Sequence, residues 1–264
     1  MFFASDNGAP VVPEVMAALM RANDGPMMPY GDDPVTGAAV AAIRELFEAP
    51  RAEVRLVATG TAANALSLAV LTPPWGAVFC QAGAHIQHDE CGAPEFYTAG
   101  AKIVPVAGPG GRLTPEGLGA VIAGFGDGSV HSVQPAATSL TNVTEAGTVY
   151  QAQEIAALAE VARAAGLGVH LDGARLANAL AATGARPAEM TWRAGVDIVS
   201  FGGTKNGLMA AEAVILFDPA HARAFDLRRK RGGHLWSKHR FLAAQIAGWL
   251  EEGRWLAHAA HANA

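Results

Sequence analysis

The stretch LGVHLDGARLANAL, residues 167–180, reads as a strand, a turn and a helix in immediate succession. Along its first half, alternation sets His170 and Asp172 on one face and Val169 and Leu171 on the other, the two-residue period of a strand. Gly173 breaks the run, and ARLANALAAT continues with apolar residues at helical spacing. A strand that hands over at once to a helix is the building unit of an α/β domain with a mostly parallel sheet.

The same succession recurs on both sides. EVRLVAT (53–59) precedes AANALSLAVL (62–71), AKIVPVA (101–107) precedes PEGLGAVIAGF (115–125), and SVHSVQP (129–135) precedes AQEIAALAEVARAAG (152–166). VDIVSF (196–201) is followed by AEAVILF (211–217). Ahead of the first strand, PEVMAALMRAN (13–23) and TGAAVAAIRELFEA (36–49) are amphipathic helices joined by Pro/Gly-rich connectors, so the first thirty or so residues form an arm and an entry helix. The last run, 237–264, is helical and apolar-rich and stops without a cap or a following element, which reads as a chain cut short.

Composition bounds the function. At 264 residues, 51% hydrophobic and 16% charged, the chain has ordinary globular material for one large core or two modest ones. A net charge of −5 offers no basic stripe, so nucleic acid and anionic membranes lack their electrostatic footprint and small polar ligands are the expected partners. No apolar run approaches the roughly 20 residues of a spanning helix, and the amino terminus MFFASDNGAP has neither a basic start nor a long apolar core. With only Cys80 and Cys91 there is no disulfide framework, and the expected compartment is the cytoplasm.

The residues able to carry chemistry stand at strand ends. Of four lysines, Lys205 alone sits in a glycine-rich turn, SFGGTKNG (200–207), at the carboxyl end of a predicted strand, where open α/β sheets bind ligands. The plain alternative is a solvated surface charge. Asp172 ends its strand either as a helix cap or as the partner of a cationic ligand group. Arg175 falls at the start of the following helix, where a cation opposes the helix dipole, a misfit that favours an anion-binding task. In VATGTAANAL (57–66), Gly60 and Thr61 open a helix with free backbone N–H groups, which suits phosphate but serves equally as a turn and cap. In AHIQHDEC (84–91), His85, His88 and Cys91 recur at three-residue steps around Glu90. A zinc site is conceivable there, but no second ligand pair accompanies it, and the competing reading sets the His85 ring flat against a planar cofactor. Neither dinucleotide nor P-loop fingerprint occurs.

A phosphate cradle, an acid, a turn lysine and a flat aromatic on one domain are the parts that hold pyridoxal phosphate: the lysine forms a Schiff base and the acid pairs with the pyridinium nitrogen. With ASDNGAP (4–10), PYGDDPVT (29–36), AHIQHDECGAPEF (84–96) and SVHSVQPAATSLTNVTEAGTVY (129–150) added in order, the whole chain resembles the fold-type-I pyridoxal-phosphate enzymes and, within them, the low-specificity L-threonine aldolases.

The resemblance implies a three-layer α/β/α large domain with an amino-terminal arm over residues 1–246, and over 247–264 the start of a small carboxyl-terminal domain that is largely absent. It makes Lys205 the Schiff-base lysine, Asp172 the partner of the ring nitrogen, His85 the stacking ring, and Gly60 and Thr61 the phosphate turn. Ser5 and Arg175 match residues that hold the substrate carboxylate, and His131 matches a second histidine near the substrate hydroxyl. His85, His131 and Glu90 are the proton-transfer candidates, since a histidine titrates near neutrality. Arg231, in the basic run LRRKRGG (227–233), matches a region that reaches a neighbouring subunit's cofactor phosphate, and a homodimer or homotetramer with shared active sites is implied. The implied reaction is retro-aldol cleavage of a β-hydroxy-α-amino acid to glycine and an aldehyde. A β-eliminating lyase, an aminotransferase of the same fold, and an inactive binding protein remain as alternatives.

Overall fold

Prolines and short polar side chains set the helix starts. The computed structural model describes residues 4–125 and 128–264, so Met1–Phe3 of the amino-terminal stretch lie outside the described residues. α1 (Pro13–Ala22) and α2 (Pro34–Leu46) each begin on a proline, whose missing N–H has no acceptor to reach at a first helical position. Asp33 caps α2, its Oδ1 accepting the Thr36 N–H at 2.8 Å.

Beyond these, β1 (Glu53–Val57) leads into α3 (Gly60–Leu71), β2 (Gly76–Gln81) into α4 (His85–His88) and α5 (Ala93–Thr98), and β3 (Lys102–Val106) into α6 (Pro115–Ala123). β4 (Gln134–Thr141) precedes α7 (Ala152–Ala164), and β5 (Gly168–Gly173) precedes α8 (Leu176–Thr183). β6 (Ile198–Gly202) turns back through β7 (Glu212–Leu216), and α9 (Ala222–Arg231), α10 (Arg240–Leu250) and α11 (Arg254–Asn263) follow.

Among the described residues the seven strands form one sheet, ordered β1-β7-β6-β5-β4-β2-β3. β7 pairs antiparallel with both β6 and β1, while the remaining pairings are parallel. Six strands therefore end on one edge, and the turns that follow them share that edge with the first residue of β7. Alternate residues bury to opposite faces: Val199 and Phe201 of β6 join the large core with α1, α2, α7 and α8, whereas Ile198 joins Leu66 of α3 and Phe225 of α9. Helices thus cover both faces, the expected α/β/α layering. α3 buries every residue from Ala62 to Ala69, as a helix in the middle of a layer must.

Four sequence expectations change. The run GAVFCQ is a buried strand, β2, that the alternation passes over. AEAVILF stands where the alternation expects a helix and is instead the antiparallel strand β7, buried along its whole length. SVHSVQP holds only the first two residues of β4, which runs on to Thr141. The run 237–264 is two helices, broken where Glu252 (φ 57°) and Gly253 (φ 70°) adopt left-handed backbone.

The boundary expected at residue 246 falls inside α10. Residues 247–264 pack on the main body: Trp249 and Trp255 are buried, and their rings lie 4.9 and 5.6 Å from that of Phe201 on β6. No helix among the described residues is long and apolar enough to cross a membrane.

Candidate active site

The carboxyl edge of the sheet opens on a cavity of about 400 Å³ whose lining includes Gly60, Thr61, His85, Glu90, Asp172, Arg175 and Lys205. Seven of the residues singled out in the sequence therefore meet in one place, delivered by four turns on the same edge, those that follow β1, β2, β5 and β6.

Lys205 lies in a single turn of 3₁₀ helix, Thr204–Asn206, after β6. The glycines around it are dictated by crowding. A Cβ on Gly202 would meet the Ala174 Cα at 2.5 Å, so the lysine turn and the HLDGA turn can lie against each other only without a side chain there. Gly207 closes the turn at φ +97°. α10 holds the segment from behind: the Gln245 Oε1 accepts the N–H groups of Met209 (3.0 Å) and Ala210 (2.9 Å), and the Trp249 Nε1–H donates to the Asn206 Oδ1 at 3.3 Å.

Asp172 is the penultimate residue of β5 and is 3% exposed, deep enough that an ionised carboxylate needs partners. Its Oδ1 accepts the Ala174 N–H at 3.0 Å, and its Oδ2 accepts the Asn64 Nδ2–H at 2.9 Å. It does not cap α8, whose cap position is Arg175. The Asn64 amide also donates to the Glu90 Oε1 at 2.9 Å, and that oxygen lies 2.8 Å from the His85 Nδ1. His85, Glu90, Asn64 and Asp172 are thus one continuous hydrogen-bonded chain around the cavity. The bond to Glu90 raises the His85 imidazole above its ordinary value, while burial raises the Glu90 carboxyl. Below Asp172, His170 is wedged between the hydroxyls of Ser139 (2.9 Å) and Ser200 (3.0 Å), and burial lowers it to about 4, so it is a neutral spacer.

α3 starts at Gly60 behind a Thr59 cap whose Oγ1 accepts the Ala62 N–H at 3.1 Å. The N–H groups of Gly60 and Thr61 precede any intrahelical acceptor, and both residues line the cavity. A Cβ on Gly60 would meet no atom within 4 Å, so packing within the chain does not require a glycine there.

Some expected residues are placed differently. His131 is exposed and lies before the first residue of β4, whereas the cavity sits beyond the strand's other end at Thr141. At ~3.3 Å per residue that is about 23 Å of strand, so within the one chain His131 lies far from this cavity. Ser5 is exposed and caps the short turn Asp6–Gly8, its Oγ accepting the Asn7 N–H at 3.2 Å, and the arm meets the cavity through Asn7 instead. Arg175 reaches the cavity, but its guanidinium is paired with Asp6 of the arm, Nε to Oδ2 at 2.6 Å and Nη2 to Oδ1 at 3.2 Å. Arg231, in the last turn of α9, lines a separate cavity with Phe96 and Tyr97. The zinc alternative finds its three residues turned to different partners: His85 to Glu90, His88 to the Ala82 carbonyl at 2.7 Å, and Cys91 exposed.

Three lining residues escape a sequence reading. Asn64 is signalled only as a polar residue inside an otherwise apolar helix, and Glu212 only as an acid at the start of an apolar strand. Glu145, in the loop after β4, accepts the His85 backbone N–H through its Oε1 at 2.6 Å, across 60 residues of sequence.

A buried acid, a turn lysine and an open helix start on the carboxyl edge of a mostly parallel sheet define the class of α/β enzymes that work from that edge. Within that class the chain belongs to the beta-eliminating lyase family, whose model matches residues 3–264. It is 45% identical over 261 residues to the low specificity L-threonine aldolase of Pseudomonas sp. (strain NCIMB 10558), covering 99% of this chain and 75% of that protein. Against the protein of the same description from Pseudomonas aeruginosa the identity is 44%, with the same coverage. The solved structure of Leishmania major threonine aldolase matches with a TM-score of 0.89 at 29% identity, over 98% of this chain and 75% of that one.

Proposed function

We propose that the chain is a pyridoxal-phosphate lyase that cleaves L-threonine, or related β-hydroxy-α-amino acids, to glycine and an aldehyde. The observation that carries this reading is the meeting of Lys205, Asp172, His85 and the start of α3 at one cavity. Two features support the fit of the cofactor. The buried atoms Asn64 Oδ1 and Glu90 Oε2 have no partner within the chain, and the space beside Gly60 is open where a side chain would intrude.

Pyridoxal phosphate, when bound, supplies an electron sink for the pair released by the broken Cα–Cβ bond. Lys205 would hold its aldehyde carbon and the Gly60 and Thr61 amides, with the Thr61 hydroxyl, its phosphate. Asp172, fixed by Asn64 and the Ala174 N–H, would keep a proton on the ring nitrogen, and His85 would lie against the ring. Arg175 would take the substrate carboxylate by exchanging Asp6 for it, a like-for-like swap of one carboxylate for another. The His85 Nε2 is the atom suited to accept the β-hydroxyl proton, because Glu90 at the Nδ1 favours the imidazolium that results. Arg231, remote from this cavity, fits the reading in which a homodimer or homotetramer brings it to a neighbouring copy's phosphate, in the cytoplasm.

The test is the visible spectrum of the protein with added pyridoxal phosphate, beside Lys205→Ala, before and after borohydride. The expected result is a band that borohydride removes and the variant lacks, with glycine and acetaldehyde released from threonine. Ammonia and an oxo acid without aldehyde would move the assignment to β-elimination, and a folded protein that forms no band would refute the cofactor.

A further inference from the structure

One acid on the cavity wall has no task in the reading above. Glu145 stands in the loop between β4 and α7, an exposed residue that lines the cavity with His85. Its Oε1 accepts the His85 backbone N–H at 2.6 Å. That bond supplies what α4 lacks. The helix is a single turn, His85–His88, and Ala84 at its cap position carries no side-chain acceptor. The Ala84 carbonyl takes the N–H groups of Gln87 (2.9 Å) and His88 (3.3 Å), but the His85 amide precedes any intrahelical acceptor. A carboxyl group from 60 residues further along the chain therefore does for α4 what a serine or aspartate at the cap position does locally.

The loop that carries Glu145 is itself tied down. Asn142 and Tyr150 close its base: the Asn142 Nδ2–H donates to the Tyr150 carbonyl at 3.2 Å, and the Asn142 Oδ1 accepts the Tyr150 N–H at 3.1 Å. Inside it the Thr144 N–H reaches the Thr148 carbonyl at 3.0 Å and the two threonine hydroxyls lie 2.8 Å apart. The Thr148 hydroxyl donates to the Gly110 carbonyl at 2.6 Å, which fastens this loop to the one after β3. His85 is thus held at two points from two directions. Its amide is bonded to the loop after β4, and its ring Nδ1 to Glu90, which Asn64 ties to α3.

We infer that Glu145 is a positioning residue for His85: by capping α4 from across the fold it fixes where the imidazole stands on the cavity wall, and so the direction from which its Nε2 meets the substrate hydroxyl. The contact requires an oxygen at the right reach rather than a charge. Its consequence for turnover rests on the aldolase reading above; the contact itself does not.

The experiment separates reach from charge with Glu145→Gln, which keeps the oxygen in place and removes the charge, and Glu145→Asp, which keeps the charge and draws the oxygen back by one methylene. Hydrogen exchange of the His85 amide, followed by mass spectrometry of overlapping peptides across residues 80–92 in the full chain without cofactor, should be about tenfold faster in the aspartate variant, the loss of one hydrogen bond, and unchanged in the glutamine variant. At saturating cofactor, kcat for threonine should fall about tenfold or more in the aspartate variant with KM within about twofold, because a displaced catalytic group costs rate rather than binding, and the glutamine variant should keep the wild-type kcat. Unchanged exchange in the aspartate variant, faster exchange with a wild-type kcat, or an impaired glutamine variant beside a normal aspartate one would each overturn the inference. Where the wild type forms no aldehyde from threonine, the aldolase reading fails, and the exchange contrast alone decides whether Glu145 holds His85.

Discussion

Replacing Asn64 by leucine removes the one side chain that bridges Glu90 and Asp172, at nearly constant volume and so with little cavity contribution. Two bonds of 2.9 Å to buried carboxylates disappear. Hydrogen bonds to charged groups contribute about 1.5–3 kcal/mol each. Glu90 can relieve part of the loss by taking up a proton, so the lower end applies and the expected cost is about 3 kcal/mol near neutral pH. For a chain of this size that lowers Tm by about 6–12 °C. The sign of the pH dependence is fixed by Glu90. Burial already raises its carboxyl above the ordinary value, and the Asn64 bond works against that rise, so the leucine variant raises it further. A folded-state pKa above the unfolded one penalises the native state at pH values above it and relaxes as pH falls through it. The variant's deficit should therefore be largest at pH 8 and shrink steadily toward pH 5. Thermal unfolding at four or five pH values measures this directly. A deficit that stays constant across that range, or none at pH 8, would refute the view that Asn64 acts by satisfying two carboxylates.

Gly60→Ala places a methyl in open space and adds a better helix former, so Tm should stay within about 2 °C while pyridoxal-phosphate affinity, followed by absorbance titration, falls tenfold or more. His131→Ala should leave kcat/KM for threonine within about twofold of wild type, because the residue lies at the far end of β4; a tenfold loss would contradict its placement. Asp6→Asn removes the charge that occupies Arg175, and the expected result is a KM for threonine several-fold lower, with Tm changed by no more than the modest effect of an exposed ion pair.

What the sequence discloses is what local rules govern. Lys205, Asp172 and Gly60 are legible because each follows a run with strand periodicity, and a turn after a parallel strand must emerge on one edge of the sheet. β2 and β7 escape because GAVFCQ and AEAVILF are apolar without alternation, as strands covered on both faces are, and such runs carry no period to read. β4 is misread because VHSV alternates while QPAATSLT holds a proline. That proline is tolerated at a point where β4 pairs only with β2, before its pairing with β5 begins at Ala137. Asn64 and Glu145 join the site through contacts across 108 and 60 residues, which no local pattern encodes.

The grip of α10 on the lysine turn bears on how the protein is made. Trp249 follows Asn206 by 43 residues, and Gln245 follows Ala210 by 35. A ribosome that has just completed β7 therefore carries a chain whose lysine turn still lacks the Gln245 side-chain acceptor and the Trp249 indole that hold it from behind. The contacts that hold the turn from behind can form only after synthesis has run through α10, so the lysine turn is the product of a late, long-range contact rather than of the sheet alone.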